Sequence, residues 1–142
     1  MYASILCPVD LSDEHSWSKA LPTAVQLAET FGATLHVMTV VPSFGLPMVG
    51  QYFPEGFEAK MRAEAARHLD EFCAAHLPAD LATKRIVAEG KIYQEILRAA
   101  EAIRADLIVM GSHRPELSDY LLGPNAARVV RHAPCSVMVV RT

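Results

Sequence analysis

The sequence predicts an α/β fold, a doubly wound, mainly parallel sheet of five strands with four helices, and three observations carry that prediction. Short apolar runs rich in strand formers alternate along the chain with longer stretches whose apolar residues recur at three- and four-residue steps. The run from Thr34 to Val41 is apolar on both faces, as a strand covered on both sides must be. Strands separated by helical segments also require crossover connections, hence parallel pairing with helices above and below the sheet.

The elements follow in βαβαβ order. Ala3 to Val9 is a short run of strand formers. From Ser12 to Phe31, Trp17, Ala20, Ala24, Leu27 and Phe31 fall on one helical face, with Ser12 or Asp13 as the cap and Gly32 as the terminator. Pro22 lies inside this stretch, where its missing N–H and fixed ring either kink the helix or displace its start. Thr34 to Val41 is the second strand, and Pro42 to Pro54 reads as a loop. Phe57, Met61, Ala65, Leu69 and Phe72 mark the second helix, which runs up to Leu77 and Pro78. Thr83 to Ala88 is the third strand, broken by Glu89 and Gly90, and Ile92, Ile96, Ala99 or Ala100, and Ile103 form the next helical stripe. Leu107 to Met110 is the fourth strand, ending at Gly111. A loop to about Asp119 precedes a helix from Gly123 to His132, and Ser136 to Val140 is the last strand.

A length of 142 residues fits one domain, residues 1–142, without repeat or linker. Hydrophobic residues make up 51% of the chain, which excludes intrinsic disorder. Thirteen basic residues against sixteen acidic give a net charge of −3, so there is no general attraction to nucleic acid or to an anionic membrane. Any phosphate must therefore be held locally. The longest uncharged run, Thr30 to Pro54, contains Gly32, Pro42, Gly45, Pro47, Gly50 and Pro54, which spoil it as a membrane span. The start of the chain has no basic region ahead of its apolar residues, which argues against a secretory signal. Cys7, Cys73 and Cys135 are scattered and include no C-x-x-C pair, so a reducing, cytoplasmic setting is expected.

In an open parallel sheet, ligands bind beyond the carboxyl ends of the strands where the strand order reverses. The residues there are Pro8, Val9 and Asp10 after the first strand, Val40 at the end of the second, and Met110 to Arg114 after the fourth. Gly123, Pro124 and Asn125 open the last helix, whose free N–H groups and positive dipole end suit an anion, phosphate above all. The carboxylate of Asp10 either caps the following helix or accepts from a ligand. No histidine spacing specifies a metal site, and no cysteine has a visible activating partner.

Asp10 after an apolar strand, Met110-Gly111-Ser112-His113, and Leu121-Leu122-Gly123 leading into residues 129–140 resemble the universal stress protein family over essentially the whole chain. The resemblance implies a Rossmann-like fold and ATP, with or without magnesium, held by a G-x2-G-x9-G-[S/T] loop. Gly111 matches the first glycine, Arg114 replaces the second, eight residues (Pro115 to Leu122) follow it, and Pro124 stands where the hydroxyl residue belongs. The Ser-His-Arg-Pro segment resembles a subgroup of short single-domain members in which this shortened loop is usual.

Residue by residue, the resemblance implies Pro8, Val9 and Asp10 on the adenine side, Val40 in the base pocket, Met110 and Gly111 at the ribose, and Gly123, Pro124 and Asn125 near the phosphates. Pro124 can donate neither N–H nor hydroxyl. Arg114 is either a charged fork in compensation or a solvated loop cation, Ser112 and Asn125 offer hydrogen bonds, and His113, in the loop next to Gly111, is either a contact to phosphate or metal or, more simply, an ordinary loop residue.

The chain lacks G-x4-G-K-[S/T] and G-x-S-x-G, and no G-x-G-x-x-G follows a strand, so a nucleotide-dependent switch is expected rather than a fast ATPase. Slow hydrolysis or autophosphorylation is the least favoured alternative. The resemblance further implies a homodimer paired through the last strand, and it leaves room for a regulated partner such as a membrane transporter. The competing reading is a protein of the same fold that binds no nucleotide and acts through protein contacts. The apolar loop from Pro42 to Gly56 folds over the ligand, packs on a dimer partner or covers the sheet, and one of the last two is expected.

Overall fold

The computed structural model describes residues 1–41, 56–112 and 122–141. Its five strands are β1 (Ser4–Pro8), β2 (Thr34–Val41), β3 (Thr83–Glu89), β4 (Leu107–Gly111) and β5 (Ser136–Val140). They form one sheet in the order β3-β2-β1-β4-β5, with every pairing parallel. The α-helices among the described residues are α1 (Ala20–Phe31), α2 (Phe57–His76), α3 (Ile92–Ala102) and α4 (Pro124–His132). This is the architecture that the alternating pattern predicts. The expected loops over 42–54 and 113–119 fall largely outside the described residues.

The central strands bury alternate residues on opposite faces, which explains why they read as continuous apolar runs. Ile5, Cys7, Leu35, Val37 and Val109 meet Ala20, Leu21, Ala24 and Ala28 of α1 and Leu69 and Cys73 of α2. Leu6, Met38, Ile108 and Met110 meet Ile96, Ala99 and Ala100 of α3 and Ala126 and Val129 of α4. The alanines of α1 let that helix lie close to the sheet. By contrast α2 buries only Leu69 and Cys73, and part of its docking is electrostatic, through Arg62–Glu89 at 3.9 Å and Arg85–Asp70 at 3.3 Å. β5 pairs only with β4 and forms one edge of the sheet, with Met138 exposed.

The first helix begins later than its periodicity suggests. Residues Glu14–Ser16 form a 3-10 turn, and α1 starts at Ala20. The late start suits Pro22: it has no N–H to donate, and in the first turn the N–H groups lack intrahelical partners. The cap assignment changes with it. Asp13 caps the 3-10 turn, its carboxylate accepting from the His15 amide at 3.0 Å, whereas α1 follows Lys19 without a side-chain cap. Gly32 ends α1 in the left-handed region at φ 65°, as expected.

Candidate functional site

The strand order reverses between β1 and β4, so the connections leaving these two strands run in opposite directions and part at their carboxyl ends. A cleft of about 650 Å³ opens there. That volume lies within the ~300–1,000 Å³ typical of small-molecule sites. Its floor is apolar: Val9, Met38, Ile96 and Met110 are buried beneath it, and Val40 borders it.

One wall is made chiefly by backbone. Asp10 folds the chain after β1 back on itself, Oδ1 accepting from the Ser12 amide at 3.0 Å and the Ser12 hydroxyl at 2.7 Å. Of the two roles open to this carboxylate, capping α1 is excluded, and it stands exposed at the cleft rim beside Pro8. The Ser16 hydroxyl accepts from the Asp10 amide at 2.8 Å and binds the 3-10 turn to the same loop. Gly111 meets this turn directly. A Cβ there would lie 2.9 Å from the Ser16 carbonyl oxygen and 3.1 Å from that of His15. The missing side chain at Gly111 is thus used by the protein's own turn, besides opening the cleft.

The buried Ser112 continues the wall. Its amide donates to the Val140 carbonyl at 3.0 Å, and its carbonyl accepts from the Gly123 amide at 2.8 Å, which pins the start of α4 against the sheet. The Gly123 N–H, expected at the helix start to face an anion, is therefore spent inside the protein. Pro124 occupies the first helical position and has none. The amides that lack an intrahelical carbonyl and lie at the cleft are those of Asn125 and Ala126.

The opposite wall was missed in the sequence. Gly90, Lys91, Ile92 and Tyr93, where β3 gives way to α3, line the cleft together with Arg128 of α4. The Arg128 guanidinium lies 4.8 Å from the Tyr93 ring centroid, a cation–π contact joining the two helices. Glu89-Gly90 read only as a strand breaker, although it is also the carboxyl end of a parallel strand, and that position was the available signal. Asp13 and Ser16 line the cleft as well, although the sequence marks Asp13 only as a cap candidate and Ser16 only as part of the helical stretch. Every predicted site residue within the described segments borders this one cleft, whereas His113 and Arg114 lie outside them.

Burial pushes the Cys7 thiol up to about 12 and raises those of Cys73 and Cys135, so none supplies a thiolate near neutral pH. Among the described residues no group of three or more His, Cys, Asp or Glu side chains could hold a metal ion, and no helix is long and apolar enough to cross a membrane. What the cleft offers is an apolar floor for a flat group, cations at Lys91 and Arg128, and the positive end of α4. These suit an anionic organic ligand.

A family model described as the universal stress protein family matches residues 1–141. Universal stress protein G of Shigella flexneri is 33% identical over 144 residues, covering 99% of this chain and all of that protein. The structure of universal stress protein UspA from Lactobacillus plantarum superposes with a TM-score of 0.74 at 29% identity, covering 99% of this chain and 98% of that one. A universal stress protein solved in complex with cAMP matches with a TM-score of 0.63 at 24% identity, covering 99% and 98%.

Proposed function

The chain belongs to the universal stress protein family, and on that premise we propose that the cleft between β1 and β4 binds an adenine nucleotide, ATP foremost, as a regulatory ligand. The observation that carries this reading is the meeting, at the switch point, of an apolar floor with the amino end of α4. The base would lie over Val9, Met38 and Val40 beside Asp10, the ribose near Met110 and Gly111, and the phosphates toward Gly123, Pro124, Asn125 and Ser112. The amides of Asn125 and Ala126 and the side chains of Lys91 and Arg128 supply the donors and charge there. Arg114 and His113 belong to the same proposed phosphate end. Magnesium would be held through the phosphates themselves, since no cluster of protein ligands among the described residues awaits it. The cAMP complex of the related protein supports a nucleotide of this class.

The chain acts as a binding switch in this reading and not as a dedicated enzyme. No activated nucleophile stands in the cleft among the described residues. Residues 1–142 form one unit, and β5, an edge strand with Met138 exposed and Val130 exposed on the helix before it, would pair with a second copy to form a homodimer. A regulated protein, a transporter among the options, would read the bound state. Three free cysteines support a cytoplasmic setting.

Calorimetric titration with ATP and magnesium tests the proposal. Saturable heat and thermal stabilisation are expected, and Gly123→Glu should lose both while staying folded, because its carboxylate repels the phosphates. Absence of heat and of stabilisation at millimolar nucleotide would leave the second reading, a protein-contact module of the same fold. That reading is favoured by the proline at the first position of α4, where the first amide is lost.

A further inference from the structure

A second cavity, of about 460 Å³, opens at the opposite end of the sheet, near the amino ends of β1 and β2 and beneath the last turn of α3. Ser4, Thr34, His36 and Lys84 line it on the polar side, and Ile86 and Ile103 on the apolar side. Leu6, His36 and Lys84 are register partners across β1, β2 and β3, so they share one face of the sheet. Leu6 belongs to the core under α3, and His36 is drawn into the same layer with only 7% of its surface exposed.

No hydrogen bond described among these residues uses the His36 ring, and its nitrogens are not among the sealed, unpartnered atoms, so they open to the cavity. The exposed Lys84 has no ion-pair partner among the described residues. Arg85 also borders the cavity, but its guanidinium pairs with Asp70 of α2 at 3.3 Å. From α3 the cavity receives the uncharged Ala102 and Ile103, and from β1 the uncharged Ser4. The nearby carboxylate of Asp106 is taken up by the amides of Ala3 at 2.8 Å and Ser4 at 3.1 Å. At the carboxyl end of α3, Ala105, Arg104 and Ser4 donate to the carbonyls of Ala100, Glu101 and Ile103. Two basic groups thus face one concavity without a counter-charge among the described residues.

We propose that this cavity is an anion site, taking a phosphate-type oxyanion between the His36 imidazole and the Lys84 ammonium, with any small organic body resting on Ile86 and Ile103. Two separate point donors with a hydroxyl at Thr34 match a tetrahedral, many-oxygen group better than a planar carboxylate, for which a guanidinium fork is the fitting partner. Burial and the Lys84 charge hold the free imidazole below its usual titration range. An anion in the cavity offsets that repulsion, so occupancy must raise the protonation midpoint of His36. The site is separate from the nucleotide cleft, and its test does not depend on that reading.

The test follows the His36 ring protons by NMR while inorganic phosphate is added to the full chain. A saturable shift at millimolar phosphate is expected, with the midpoint of His36 moving to higher pH. Lys84→Met should weaken phosphate binding about tenfold, the loss of one charged hydrogen bond, and move the His36 response to correspondingly higher phosphate. His36→Asn, followed by calorimetry, should weaken it too, and Gly123→Glu should not alter the His36 response. A response that fails to saturate, or that is unchanged in Lys84→Met, overturns the proposal. Acetate binding as tightly as phosphate overturns the assigned ligand class.

Discussion

The two walls of the cleft are built from different materials. Between β1, β4 and α4 the wall is backbone held by backbone: the 3-10 turn rests on Gly111, and Ser112 grips Gly123. Between β3, α3 and α4 it is made largely of side chains, exposed at Lys91, Ile92 and Arg128, with Arg128 laid on the half-buried Tyr93. The first wall is part of the folded framework, whereas the second can be altered while the framework stays in place. Substitutions should therefore cost stability on one side and affinity on the other.

Gly111→Val is the strongest way to test that difference. Even a Cβ stands 2.9 Å from the Ser16 carbonyl oxygen, a backbone atom that cannot swing aside. Overpacking of this kind costs about 3 kcal/mol, so thermal melting should drop by roughly 10 °C. An unchanged melting temperature would mean that the turn does not depend on the glycine.

Gly90→Ala probes the junction where the second wall begins. Gly90 sits at φ 142°, and an added Cβ would lie 2.8 Å from Glu95 Oε1, the tip of a side chain. The tip can move but the backbone angle cannot, so a loss of about 1–2 kcal/mol is expected in denaturant unfolding. The smallest effect on folding should come from Arg128→Ala. Its exposed cation–π contact is worth about 0.5–1 kcal/mol, and melting should barely change. Nucleotide affinity should nonetheless fall about threefold by calorimetry. A larger loss of stability than of binding would erase the contrast between the walls.

The same contrast explains what could be read in the chain. Asp10, Gly111, Gly123 and Pro124 announce themselves because backbone-built structure needs unusual residues: a small carboxylate for the turn, a glycine for close approach, a proline for the first helical position. Lys91, Tyr93 and Arg128 are ordinary residues of a helix start and a helix surface. Only the folding of α3 beside α4 brings them together, so no local pattern marks them. Pro22 lies between these cases. Its chemistry allows either a kink or a late start, and the 3-10 turn packed on Gly111 selects the late start.

The sequence by itself determined the five strands, the four helices and their parallel pairing, because burial on both faces and crossover spacing are written in hydrophobic periodicity. It also determined the positions at the strand ends where a ligand could meet the backbone. Only the tertiary structure decided which amides stay available there, since the Gly123 N–H is taken by Ser112, a partner fixed by packing and not by spacing. It alone placed His36 beside Lys84 at the far end of the sheet, because strand register, unlike periodicity, links residues that lie far apart in the chain.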